Sequence, residues 1–234
     1  MRVARRHLMP KLFLPYDLYE RHHVVGRLLR ERGVKTVLDV GGNLGVLKQF
    51  LEADIVTLNV GENADLYYDG HAIPFEADHF DAVASLDTLE HIPAPERLDF
   101  LQECVRVTKR YLVISAPYGS DEHRVYEQKL DALYTRTFGT IHTYLNEHVR
   151  YGIPNQQDIH DLIAPLPLKN VTLYFAGDFV WQCRNLERLI TQQGNRWMKC
   201  YIDWNSKALF HPIRLTTQPY DRANRFYLYA EKQG

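Results

Sequence analysis

The chain has 234 residues, 45% of them hydrophobic, and a net charge of −1. That length and composition suffice for the buried core of one α/β domain with insertions, and the even charge excludes a global attraction to nucleic acid or to an anionic membrane. Cys104, Cys183 and Cys200 have no paired spacing, which suggests neither a disulfide framework nor a zinc site and fits a reducing cytoplasm, while no apolar run reaches the ~20 residues that span a bilayer and no signal-peptide core opens the chain.

Residues 1–16 are expected to be an irregular arm, because Pro10 and Pro15 bracket Leu12, Phe13 and Leu14, and Arg2, Arg5 and Arg6 read as a solvated tail. From Asp17 to Arg32, Leu18, Val24, Val25, Leu28 and Leu29 fall at helical spacing, with Gly33 as a stop; residues 1–33 are thus an arm and a helix leading into the first strand. Thr36 to Val40 is an apolar, β-branched strand interrupted by Asp39. Gly41, Gly42, Asn43 and Gly45 form a glycine turn, and Leu44 to Leu51 is expected to be a helix. Ile55 to Val60 is a second buried strand, so the unit is βαβ. The turn lacks a glycine at Val40 for a dinucleotide fingerprint, and G-K-[ST] occurs nowhere. Such a turn brings backbone N–H groups up to a ligand at the carboxyl edge of a parallel sheet.

Asp69-Gly70-His71-Ala72-Ile73-Pro74-Phe75 comes next, followed by Phe80-Asp81-Ala82-Val83-Ala84-Ser85-Leu86-Asp87-Thr88-Leu89-Glu90-His91. Residues 95–108 have Leu98, Leu101, Cys104 and Val105 on one helical face, and Tyr111 to Ala116 is a strand stopped by Pro117.

Asp39, Gly41 and Gly45 in the pattern D-x-G-x-x-x-G, with the two motifs around Asp69 and Glu90–His91, resemble the Rossmann-like (class I, type-11-like) S-adenosylmethionine-dependent methyltransferases over residues 34–118. The resemblance implies a seven-stranded, mostly parallel sheet with helices on both faces and an antiparallel last strand. It implies S-adenosyl-L-methionine as cofactor, with Asp39, Gly41, Gly42, Asn43 and Gly45 under its methionine end. Asn43 replaces a glycine there and tolerates positive φ. Asn59 takes the place of the acid that commonly binds ribose, with Glu62 and Asp65 as nearby substitutes. Asp69 would accept from the adenine amino group, with Gly70 and His71 offering backbone N–H groups beside it, and Ser85, Leu86 and Asp87 would stand beside the reacting methyl. Glu90 and His91 suit helix capping or structural hydrogen bonds as well as catalysis. His91 has no histidine four residues away, so spacing indicates no metal site.

Beyond residue 118 the resemblance fades. Residues 119–155 carry His123, Tyr126, His142, Tyr144, Glu147 and His148 where a short connection would suffice, and long insertions usually carry function. Gln157 to Ala164 reads as a helix, and Asn170 to Phe175 and Phe226 to Ala230 as the last strands. Residues 176–222 form a second insertion, with a helix over Leu186 to Gln193 and an aromatic stretch from Trp197 to Phe210. No repeat or flexible linker divides the chain, so both insertions belong to one domain (1–234), over the carboxyl edge of the sheet.

The function expected is methyl transfer to a small-molecule acceptor by in-line displacement, in a soluble cytoplasmic enzyme. His123 and His148 are the candidate bases for a hydroxyl acceptor, with Glu147 orienting or replacing either ring. A non-catalytic binding module and a nicotinamide-dependent oxidoreductase are the alternatives, and no extended basic stripe suggests a nucleic-acid substrate.

Overall fold

In the computed structural model of the chain, which describes residues 11–233, seven strands share one sheet. The first ten residues of the expected arm, with Arg2, Arg5 and Arg6, lie outside the described residues. The strands are β1 (Thr36–Val40), β2 (Asp54–Asn59), β3 (Leu66–Tyr67), β4 (Phe80–Leu86), β5 (Thr108–Pro117), β6 (Leu168–Ala176) and β7 (Arg225–Lys232), in the order β3-β2-β1-β4-β5-β7-β6. The first five run parallel, and β7 pairs antiparallel with both β5 and β6. Strand order reverses between β1 and β4, whose ends meet at Val40 and Ser85. A crevice opens at such a switch point, beyond the carboxyl ends of the strands.

Alternation along the strands builds two core layers. Leu38, Val40, Val83, Leu112 and Ile114 face one side, where they meet Leu101, Cys104 and Val105 of α2 (Arg97–Val107). Val37, Ala82, Ala84, Val113 and Tyr227 face the other, where they meet Val25, Leu28 and Leu29 of α1 (Tyr16–Arg30). The chain then turns at Gly33, at a φ of +63°.

The expected helix between β1 and β2 does not form. Gly41 and Gly45 sit at φ +80° and +78°, and the loop they shape consumes the segment, so only a 3-10 turn, Leu47–Gln49, precedes β2. Helix α1 closes over this turn instead. A Cβ on Gly26 would stand 2.7 Å from the Phe50 carbonyl oxygen, so only glycine lets the backbones approach this closely.

The two insertions are helical. Residues 119–155 hold α3 (Asp121–Phe138), with Ser120 at its N-cap and left-handed Gly139 after its last turn, and α4 (Thr143–Tyr151). A capping box between Asn155 and Asp158 then starts α5 (Gln156–Ile163). The second insertion holds α6 (Phe179–Thr191), capped by Asp178, and α7 (Arg196–Asn205), capped by Asn195. Leu130, Leu145, Phe179, Cys183 and Ile190 pack α3, α4 and α6 into a separate apolar cluster above the sheet edge.

Candidate functional site at the switch point

The glycine loop after β1 is braced from three sides. The Gly41 N–H donates to the Leu58 carbonyl at 2.7 Å. A Cβ on Gly41 would fall on the Thr88 side chain, and one on Gly42 would fall on the Asp39 carboxylate. Loop, Thr88 and Asp39 therefore fit together only without side chains at either glycine. Asn43 is exposed and does not have positive φ; Gly41 and Gly45 take the left-handed positions. Asp39 is 1% exposed, and neither carboxylate oxygen has a hydrogen-bond partner. Burial raises its pKa to about 7, against a weaker pull from Arg21.

Asn59, in the place of a ribose-binding acid, is engaged with the glycine loop. Its Nδ2 donates to the carbonyls of Gly41 (3.0 Å) and Gly42 (2.9 Å), and its Oδ1 accepts from the Gly61 N–H at 3.2 Å. A carboxylate has no proton to give those carbonyls, so an amide here serves the loop. Asp65 is likewise engaged, accepting from the Thr57 N–H and from Lys48, whereas Glu62 is exposed. Asp69 accepts from the His71 N–H at 3.0 Å around Gly70, and all three are exposed at the rim of the crevice.

At the end of β4, Ser85 and Leu86 are buried, and Asp87 adopts a φ of +52°. The resemblance placed Asp87 toward a cofactor, but its two oxygens pair with Arg21 of α1 and Arg225 of β7. Asp17 bridges the same two cations, at 2.9 Å from Arg21 and 2.8 Å from Arg225. A non-glycine residue with positive φ persists only where its surroundings hold it, and two guanidinium groups do so here.

Asp87 also borders a cavity of about 530 Å³ lying between the switch point and the helices of both insertions. Its upper walls are apolar, with Leu130, Leu145, Leu186, Leu189 and Ile202, and its floor is rich in titratable groups. His123 is 2% exposed and locked: its Nδ1 lies 2.9 Å from the Tyr118 carbonyl, its Nε2 3.5 Å from Glu127, and its ring stacks on Phe179. His148 places Nδ1 3.0 Å from Glu127, while its buried Nε2 has no partner. Glu147 serves neither of these rings. It lies 2.8 Å from Nδ1 of His91, and the orienting carboxylate for His123 and His148 is Glu127. Burial would raise the Glu127 pKa, but hydrogen bonds from the two histidines outweigh it and hold the carboxyl at about 2.

Glu90 is 1% exposed and forms the rest of the floor, with its Oε2 unpartnered. Burial pushes its pKa up to about 8. Glu90, His91 and His148 each direct one nitrogen or oxygen toward the others, all within 4.8 Å. Sequence spacing gave no sign of this group, because the second histidine comes from α4 rather than from the turn that carries His91. Among the described residues no helix is long and apolar enough to cross a membrane.

This sheet order is that of the Rossmann-like methyltransferase fold. Residues 38–114 match the family described as a methyltransferase domain. No curated protein sequence matches the chain. Among solved structures it is similar to a SAM-dependent methyltransferase from Thermotoga maritima (TM-score 0.57, 12% identity, covering 92% of this chain and 91% of that one). It is similar also to a SAM-dependent methyltransferase from Archaeoglobus fulgidus (TM-score 0.53, 15% identity, covering 90% and 94%). A third is the phosphoethanolamine N-methyltransferase 2 of Haemonchus contortus, in complex with phosphomonomethylethanolamine and S-adenosylhomocysteine (TM-score 0.50, 14% identity, covering 86% and 49%).

Proposed function

We propose that the chain transfers a methyl group from S-adenosylmethionine to a small-molecule acceptor held in the cavity beside Asp87. One observation carries this reading: Asp87 borders the cavity, and the next residue, Thr88, packs against Gly41 of the glycine loop. The Asp87–Thr88 pair therefore separates a cofactor cradle from an acceptor chamber, with the end of β4 between them. The two insertions act as the walls of that chamber.

The cradle suits the cofactor. Gly41 and Gly42 keep side chains out of the loop, Asp39 beneath them has two unpartnered oxygens able to take up positive charge, and Gly45 has open space around its Cα. Asn59 contributes by fixing the loop carbonyls, Asp69 with Gly70 and His71 forms the rim toward an adenine, and the exposed Glu62 is the free acid for ribose hydroxyls. Ser85, Leu86 and Asp87 form the wall nearest the transferred methyl. When bound, S-adenosylmethionine supplies that methyl on a sulfonium sulfur, an electrophile that needs no further activation.

The protein contributes positioning and exclusion of water, worth on the order of 7–11 kcal/mol in well-oriented reactions. Both ring nitrogens of His123 are engaged, so it orients Glu127 rather than taking a proton. His148, oriented by Glu127, and His91, oriented by Glu147, face the polar end of the acceptor.

Calorimetry and thermal unfolding with S-adenosylhomocysteine test the reading. At a hundredfold excess over its dissociation constant, linkage stabilises the fold by about 2.7 kcal/mol, or roughly 5–11 °C for a chain of this length. Absence of both heat and shift at millimolar ligand would refute the enzyme reading in favour of a non-catalytic module.

A further inference from the structure

We propose that Glu90, His91 and His148 form a binding site for a divalent transition-metal ion of the zinc class at the floor of the acceptor cavity. The donor set is one carboxylate oxygen and one ring nitrogen from each of two imidazoles, mutually within 4.8 Å. Two imidazoles and a carboxylate, with remaining positions open to a cavity, are a familiar donor set for zinc and iron(II).

The second layer of contacts supports it independently. The Nδ1 of His91 lies 2.8 Å from Glu147, and the Nδ1 of His148 lies 3.0 Å from Glu127. A carboxylate beside Nδ1 fixes the proton on that nitrogen, which leaves Nε2 with a bare lone pair aimed at the common point. Metal-ligating histidines are almost always held in this way.

The groups facing that point are also mismatched without a cation. With each Nδ1 protonated, both Nε2 atoms are acceptors. Nε2 of His148 is buried with no protein partner, and the nearest Glu90 oxygen, Oε1, lies 3.9 Å from Nε2 of His91, too long for a hydrogen bond. A buried acceptor without a donor costs stability, and a cation at the common point would supply its partner. With bonds of about 2.1 Å, tetrahedral ligand atoms stand about 3.4 Å apart, so closure needs these atoms to draw together by roughly 1 Å. His91 and His148 are side chains on separate elements, the Leu89–His91 turn and α4, whose rings already lie 4.9 Å apart.

The role of the ion rests on the methyl-transfer reading; the site does not. In that role the ion binds the acceptor's hydroxyl oxygen at an open position, and the hydroxyl loses its proton to solvent nearer neutrality. The oxygen then forms its bond to the methyl carbon as the carbon–sulfur bond breaks, with sulfur keeping the electron pair.

The test uses the full chain freed of metal with a chelator, titrated with Co²⁺ by visible absorption and then with Zn²⁺ in competition. One equivalent of tight binding is expected, with cobalt bands typical of four- or five-coordination. Glu90→Gln, His91→Asn and His148→Gln should each weaken it by at least tenfold, and Glu127→Gln by 10–100-fold through its hold on His148. Unfolding curves of the metal-free variants identify any that do not fold, and the remaining variants decide. Absence of binding at millimolar Zn²⁺, affinity unchanged in the folded variants, or loss of the site on Cys200→Ser would overturn the proposal. S-adenosylhomocysteine is titrated into the same samples: metal binding without it leaves the ion site standing and refutes methyl transfer, and the converse result refutes the ion site alone.

Discussion

Asp39 makes the stability of the fold depend on pH, and Asp39→Asn should remove that dependence. The carboxyl is buried beneath Gly42 with no partner for either oxygen, and its pKa rises from 3.8 to about 7 because burial penalises the charge. A folded-state pKa above the unfolded one gives stability that is fully present below pH 3.8 and is lost as pH rises through about 7. Between these values the unfolded state has released the proton and the folded state has not. Each pH unit then costs up to about 1.4 kcal/mol, so this one group removes about 2.3 kcal/mol from pH 5 to pH 7. Asparagine cannot titrate. The assay is urea unfolding of wild type and Asp39→Asn at half-unit steps from pH 5 to pH 8, compared as a difference so that the other titrating groups cancel. The variant should gain on wild type by about 2–3 kcal/mol across the window and by little more above it, whatever offset its buried amide introduces. A difference that stays flat with pH would show that Asp39 ionises in the fold as it does in water, and that the burial argument fails.

Two further substitutions separate bracing from ligand contact. Asn59→Asp, which supplies the acid that a ribose would favour, should instead cost about 1–3 kcal/mol by leaving the Gly41 and Gly42 carbonyls without a donor, and should weaken S-adenosylhomocysteine; tighter ligand binding in calorimetry would show that Asn59 does not strap the loop. Arg225→Met removes a 3%-exposed guanidinium that pairs with both Asp87 and Asp17, and should lower stability by about 3 kcal/mol, or roughly 6–12 °C by scanning calorimetry. An unchanged melting temperature would mean that Arg21 alone neutralises both carboxylates.

Strands β1, β4, β5 and β7 were legible because they are mostly buried apolar runs, whereas β3, two exposed residues, offers no such signal; the stretch from Asp39 to His91 was legible because local motifs bring backbone and side chain to one edge. The missing helix after Gly45 was not, since Val46 to Leu51 has helical spacing but too few residues once the glycine loop is subtracted. Helix α3 was hidden for a different reason. Its buried face is His123, Glu127 and Leu130, at i, i+4 and i+7, so a search for apolar periodicity sees two polar residues where the stripe should be. The same mixed face supplies the floor of the cavity.

The roles of Asp87 and Glu147 show where local reading stops. A motif fixes where a carboxylate stands along a strand or helix, but its charge is assigned by whatever the rest of the chain brings to it. Asp87 receives Arg21 from 66 residues earlier and Arg225 from 138 residues later, so both ends of the described chain converge on the end of β4. Glu147 is adjacent to His148 in sequence, yet successive residues on a helix point about 100° apart. It therefore turns to His91 on the turn after β4, and His148 turns to Glu127 on α3. Each histidine is oriented from the opposite helix or turn, which ties the position of α4 to the floor it helps build. A shift of α4 would misplace both imidazoles at once, so a change at Glu127 or Glu147 should disturb the two rings together.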